Sequence, residues 1–267
     1  MRSFGAISLS IVFSKLVSST RLAVLSCVFL LSAVLADLRA VEVPAGINND
    51  DWTALLQKYV DQNGLIDYAR WRQNDADRRR LDAYLAQFAQ VGGAMATGAE
   101  RGAGFINAYN AYTVLAVLKI NPQKSFWDHK PFDAKLYPMA GQLASLNEIE
   151  HNGSRPESGY RVHAALVCAA LSCPPLLREA YTADKLDAQL DERMRLWLAM
   201  PKLNAFDAKK KVAAVSKIFE WFPQDFDGPG GLPAVLARYA PEEHRAWLAA
   251  GGVTVTYLEY DQRLNAP

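Results

Sequence analysis

Apolar side chains at Trp52, Leu55, Leu56 and Tyr59 recur at the spacing of one helical face, and Asn63-Gly64 marks the turn that follows. A second amphipathic helix is predicted over 75–90, with Leu81, Tyr84, Leu85 and Phe88 on its inner face, and Leu65 to Tyr68 alternates between them like a short strand. The stretch 105–120 has a different character. It is almost uncharged, helical by period and stopped by Asn121-Pro122, so it must be buried on most of its circumference. Asn107 and Asn110 lie three apart on one face of it. A buried amide without partners costs about 1–3 kcal/mol, so each needs one. Either they brace neighbouring backbone, or they line an active site.

Further along, 135–139 and 142–144 flank Ala140-Gly141 as a hairpin, and Ser145-Leu-Asn-Glu148 matches a capping box that starts a short helix carrying Glu150 and His151. The run RVHAALVC, 161–168, reads as a nearly continuous apolar strand with His163 near its start. A periodic helix is expected over 182–200, a short strand over 211–215, helices over 232–239 and 242–249, and a closing strand over 253–260. The five glycines between Val91 and Gly104 read as a loop, without the setting of a phosphate-binding motif. The sum is an α+β fold: a mostly helical single domain, 51–267, with a small sheet of short strands.

Composition changes this picture only at the N-terminus. At 51% hydrophobic and 21% charged the chain is that of a folded protein, and a formal charge of +1 gives no general reason to bind nucleic acid. Arg2, Lys15 and Arg21 precede an uncharged apolar run from Leu22 to Ala36, with Val34 and Ala36 at the small positions before a cleavage site. Residues 1–36 are therefore read as a signal peptide cut after Ala36, followed by a linker over 37–50. The expected location is secreted or periplasmic, with membrane contact only through this segment if it is left uncleaved. Cleavage would remove Cys27 and leave two cysteines, Cys168 and Cys173, in an oxidising compartment.

Those cysteines share the segment 151–173 with two of the four histidines, His151 and His163, and this is the sharpest chemical signal in the chain. In one reading Cys173 is a thiolate nucleophile. Pro174-Pro175 then opens a helix whose dipole lowers the thiol pKa, His163 or His151 is the base, and Glu150 or Asn107 orients it. In a second, Cys168 and Cys173 form a structural disulfide across four residues. In a third the His and Cys side chains bind a metal, although no zinc spacing is present. Two inert buried thiols are the fourth. No metal or other cofactor is expected. Trp197, Phe219, Trp221 and Phe222 read as core rather than as a ligand platform.

The strings GLIDYARW (64–71), FINAYNAYTVLAVL (105–118), SLNEIEHN (145–152), RVHAALVCAALSCPPLLREAYTADKLDAQLDE (161–192), SKIFEWFPQDF (216–226) and YDQRLN (260–265) together resemble the domain-of-unknown-function 547 family, as an exported bacterial member. The resemblance spans the chain from about Trp52 to Asn265. It implies a polar set at Asn107, Asn110, Glu150, His151, His163, Cys168 and Cys173, and brings no reaction with it. Plant members join this domain to leucine-zipper segments, but no sustained heptads occur here. Gly104-Phe105 and Gln262 depart from the usual family pattern, where tryptophan is common at both places. A looser likeness to thiol enzymes of the transglutaminase or papain type would make RVHAALVC the histidine-bearing strand.

The expectation from the residues is a thiol-dependent hydrolase or acyltransferase acting on a peptide or amide, with Cys173, His163, His151, Glu150 and Asn107 catalytic and Asn110 and Tyr109 holding the substrate. The rival is a non-enzymatic envelope binding or interaction module in which the same cluster is structural. The expected partner is a peptide or small molecule, not nucleic acid.

Overall fold

In the computed structural model, which describes residues 40–267, the first periodic stretch forms helix α1 (Asp50–Tyr59) and buries Trp52, Leu55, Leu56 and Tyr59. The expected signal peptide, 1–36, lies outside the described residues. Helix α2 (Tyr68–Arg72) begins at the last residue of the strand expected over 65–68, because the Asp67 carboxylate accepts the Arg70 N–H and starts a helical turn. Only Ile66 pairs, in an isolated bridge with Val60. Helix α3 (Asp75–Ala86) starts from Asn74 in the same way, through the Asp77 N–H. Tyr59 stacks on Trp71 with ring centroids 4.5 Å apart, and Trp52 stacks on Tyr84 at 5.8 Å. These aromatic faces hold the first three helices together.

Helix α4 (Gly98–Ile120) runs through the middle of the larger apolar cluster and is buried continuously from Gly102 to Val114. It begins at Gly98 rather than Phe105, so three of the five glycines read as loop are helical. The reason is packing: a Cβ at Gly104 would stand 2.5 Å from Val43 Cγ1. Val41 and Val43 are themselves buried, and the Val43 carbonyl accepts the Ala96 N–H at 2.8 Å. Much of the expected linker is therefore docked on the core. Asn121, at φ 54, caps the helix in the left-handed conformation.

Strands β1 (Tyr137–Met139) and β2 (Gln142–Ala144) form the expected hairpin, with Tyr137 opposite Ala144. Ser145 and Glu148 make the capping box in both directions at the start of α5 (Leu146–Glu148). The chain continues through a π-helical turn (Ile149–Ser154), α6 (Arg155–Ser158) and a 3-10 turn (Gly159–Ala164). The strand expected over 161–168 is thus absent. Its backbone is satisfied by a helix side chain instead of a sheet: Asn110 Nδ2 donates to the Ala165 carbonyl at 2.9 Å, and Asn110 Oδ1 accepts the Val167 N–H at 2.9 Å. A continuous apolar run reports burial, and here the burial is against α4.

After α7 (Leu186–Leu198), β3 (Ala205–Asp207) pairs antiparallel with β4 (Val212–Val215), and β4 pairs in parallel with β5 (Thr254–Tyr257). Helices α8 (Ile218–Trp221), α9 (Gly231–Tyr239) and α10 (Glu242–Ala249) complete the order, with a 3-10 turn at Pro223–Phe226. A second apolar cluster, containing Met194, Trp197, Phe219 and Leu236, fills the space between these elements. Tyr260 packs against both clusters. Among the described residues the fold is a mostly helical α+β arrangement with two small sheets.

Candidate functional site

Glu150 and His151 sit on the π-helical turn, whose wide backbone has two visible local causes. The Ser154 hydroxyl donates to the Ile149 carbonyl at 3.1 Å, and Gly153 lies so close to Phe105 that a Cβ would fall 2.5 Å from its ring. Such a turn inserts one residue into the helical count and re-aims the side chains it carries. Here it turns the Glu150 carboxyl inward, where the Tyr109 hydroxyl donates to it. Burial raises Glu150 to a pKa of about 7, with Arg155 and the Tyr109 hydrogen bond opposing that rise and Asp225 adding to it. This acid changes protonation near neutral pH.

Asp225 is the hub of the neighbouring network. His163 Nε2 donates to its Oδ2 at 2.7 Å, while Arg155 spans the carboxylate through Nε at 2.8 Å and Nη2 at 2.7 Å. Arg155 Nη1 also donates to His151 Nδ1 at 2.7 Å. The hydrogen bond from His163 and the Arg155 guanidinium hold the Asp225 carboxyl far below the usual range. Burial pushes His163 down, against the pull of Asp225, and His151 is pushed down by burial and by Arg155. Phe222 stacks on His163 at 4.6 Å and carries the Arg155 guanidinium over its ring at 4.6 Å. The imidazole is fixed on its face and at one nitrogen.

Cys168 and Cys173 are joined as a disulfide, with Cα atoms 6.3 Å apart. The two prolines after Cys173 lead into irregular backbone and not into the expected helix, so no helix dipole acts on that sulfur. The C-terminal segment fixes this loop: Leu171 N–H donates to the Arg263 carbonyl, Ser172 N–H to the Asp261 carbonyl and Asn265 N–H to the Ala169 carbonyl. It also delivers the Tyr260 hydroxyl, 3.1 Å from the Cys168 sulfur and 3.3 Å from the Cys173 sulfur.

These groups meet around a pocket of about 250 Å³. Tyr109, Asp133, Asn147, Glu150, His151, His163, Cys168 and Tyr260 supply its polar and sulfur-bearing lining, and Trp127, Phe132, Trp221 and Phe222 supply aromatic walls. Of the residues expected to act, Tyr109, Glu150, His151 and His163 are thus brought together. Cys173 is buried behind its partner and borders a wider depression of about 670 Å³ that also includes Lys202 and Arg263. Asn107 and Asn110 are placed as backbone braces. Asn107 Nδ2 donates to the Tyr181 carbonyl at 2.8 Å, and its Oδ1 accepts the Tyr181 N–H at 2.9 Å. Among the described residues, no three His, Cys, Asp or Glu side chains are grouped to hold a metal ion.

Sequence reasoning missed Asp225, Arg155, Tyr260 and Trp127, and it assigned Trp221 and Phe222 to the core. Trp221 is in fact exposed at the pocket, at 38%. Asp225 and Tyr260 did stand inside two of the strings that carried the family resemblance, which was the available signal. No helix among the described residues is long and apolar enough to cross a membrane.

No curated protein and no solved structure matches the chain. Residues 94–198 match the family described as "Protein of unknown function, DUF547", a span that contains α4, the π-helical turn, His163 and both cysteines. Over that segment the chain is similar to the DUF547 family.

Proposed function

We propose that the aromatic-walled pocket binds a small ligand with an apolar body and one hydrogen-bonding head, such as an amide or a single peptide side chain, and that Glu150 receives the head. The observation that carries this reading is a partly buried carboxyl, raised to a pKa of about 7, in the lining of a largely aromatic cavity. Near neutral pH such a group both donates and accepts. The volume of about 250 Å³ is below the roughly 300–1,000 Å³ of sites for drug-sized molecules, which favours a fragment-sized ligand. In this reading the protein is a binding module and Cys168–Cys173 stabilises its wall. Benzamide and N-acetylphenylalanine amide serve as probes in calorimetric titration. Glu150→Gln and Trp221→Ala should each weaken binding about tenfold, the effect of one hydrogen bond or one aromatic contact. Wild-type affinity in both variants would exclude this pocket.

The imidazole–carboxylate pair favours a second reading, thiol-dependent hydrolysis or acyl transfer on a peptide or amide. His163 is held by Asp225 on the wall that Cys168 shares, as a positioned base requires. It needs the pair reduced. Turnover of an N-acyl anilide that appears on reduction and disappears on alkylation would support it.

We also propose that the protein is exported, on the charge and apolar pattern of residues 1–36. The mass of protein purified from its native host would reveal cleavage after Ala36.

A further inference from the structure

The two sulfurs of the disulfide do not have equivalent surroundings. Cys168 is partly exposed and lines the pocket, whereas Cys173 is 5% exposed and borders the wider depression instead. Cys173 Sγ accepts the Cys168 N–H at 3.1 Å and has the Tyr260 hydroxyl 3.3 Å away. One donor, the Cys168 N–H, is therefore already aimed at the sulfur that would leave if Cys168 were attacked, and the Tyr260 hydroxyl, 3.1 Å from Cys168 Sγ and 3.3 Å from Cys173 Sγ, is within reach of either. Tyr260 keeps its proton, because burial raises its pKa, so it remains a donor at any physiological pH. The loop is also held independently of the S–S bond. Ala170 bridges to Leu264, and the main-chain bonds from Leu171, Ser172 and Asn265 fix both flanks. Ala169 keeps φ 62, a left-handed conformation unusual for alanine, within that frame. Opening the bond would leave the two thiols positioned to close again.

We propose that Cys168–Cys173 is a reactive pair that exchanges with thiols entering the pocket, with Cys168 as the attacked sulfur and Cys173 as the leaving and resolving one. A substrate thiolate bonds to Cys168 Sγ, the S–S bond breaks, and its electron pair goes to Cys173, where the Cys168 N–H and the Tyr260 hydroxyl receive it. A second substrate thiolate then attacks the substrate sulfur of the mixed disulfide and releases Cys168. Two substrate thiols become one disulfide, the protein disulfide becomes two thiols, and the two protons lost by the substrate thiols end on Cys168 and Cys173. The reverse sequence reduces a substrate disulfide. Exchange rates depend on access to the attacked sulfur and on stabilisation of the leaving thiolate, and both differ here between the two cysteines.

This inference rests on the pocket admitting a ligand, and its test separates the two. The oxidised full chain is incubated with reduced glutathione, quenched with acid and N-ethylmaleimide, and mapped by mass spectrometry. Glutathione should be found on Cys168 and N-ethylmaleimide on Cys173, and the native protein should react about tenfold faster than the same disulfide in denaturant. Glutathione on Cys173, an even split, or reaction only after unfolding would overturn the proposal. Tyr260→Phe should slow mixed-disulfide formation about tenfold, the value of one hydrogen bond to a charged group; an unchanged rate removes Tyr260 from the step. If that variant does not fold, the wild-type map still decides. Benzamide binding to the oxidised protein is measured in parallel, so that a sealed pocket and an unreactive disulfide give different results.

Discussion

His163 Nε2 lies 2.7 Å from Asp225 Oδ2, and the same carboxylate is spanned by Arg155. Asp225 therefore neutralises one guanidinium and orients one imidazole in a single contact. Replacing Asp225 by Asn leaves the Arg155 charge partly buried without its partner and should cost about 3 kcal/mol in urea denaturation. The His163 pKa should also fall further, because the group that raises it is gone. A histidine pKa that rises in Asp225→Asn, followed by nuclear magnetic resonance, would contradict this arrangement.

Glu150 gives a pH signature of the opposite kind from an ion-paired carboxylate. Its pKa rises on folding from 4.5 to about 7, so its contribution to stability is fully present below pH 4.5 and is lost as pH rises through about 7. The loss by pH 8 is on the order of 3 kcal/mol. Glu150→Gln has no ionisation to suppress and should lack this decline. Denaturation midpoints of the two proteins at pH 5 and pH 8 test the difference, and parallel pH dependences would show that Glu150 is solvated.

The two asparagines of α4 separate bracing from binding. Each makes two hydrogen bonds to a buried backbone segment, Asn107 to Tyr181 and Asn110 to Ala165 and Val167. Asn107→Ala and Asn110→Ala should each cost about 2–3 kcal/mol by leaving buried backbone groups unpaired. Benzamide affinity should stay unchanged in any variant that folds. A variant of normal stability that has lost binding would return that residue to the site.

Gly153 and Phe105 fix the π-helical turn. Gly153→Ala forces a methyl group into the Phe105 ring and should cost about 1–3 kcal/mol by overpacking. Because the turn aims Glu150, the same variant should move the Glu150 pKa back toward its usual value. A destabilised protein with an unmoved Glu150 would separate the turn from the site.

Local signals in the chain were legible where they depend on neighbours in sequence. The capping box at Ser145 and Glu148, the hairpin across Ala140-Gly141 and the helix faces around Trp52 and Leu81 all follow from spacing alone. RVHAALVC was misread because a buried run looks the same whether its hydrogen bonds go to a strand or to Asn110. Gly102 and Gly104 were misread because their reason is contact with distant residues, Leu186 and Ser158 at Gly102 and Val43 at Gly104. The site itself was half legible. Glu150, His151 and His163 cluster in sequence, whereas Asp225 and Tyr260 reach them only through the tertiary fold, from a turn and a C-terminal segment that carry no chemical signature of their own.

The pocket as ligand site is tested most directly through its tryptophans. Protein labelled with nitrogen-15 at the indoles reports on six tryptophans, of which Trp127 and Trp221 line the pocket and Trp52, Trp71 and Trp197 are buried elsewhere in the core. On titration with benzamide or N-acetylphenylalanine amide, the Trp127 and Trp221 signals should shift together along one saturable curve, while those of Trp52, Trp71, Trp197 and Trp247 stay in place. Unmoved Trp127 and Trp221 signals, or a saturable shift confined to Trp247, would contradict a ligand site between Glu150 and these aromatic walls.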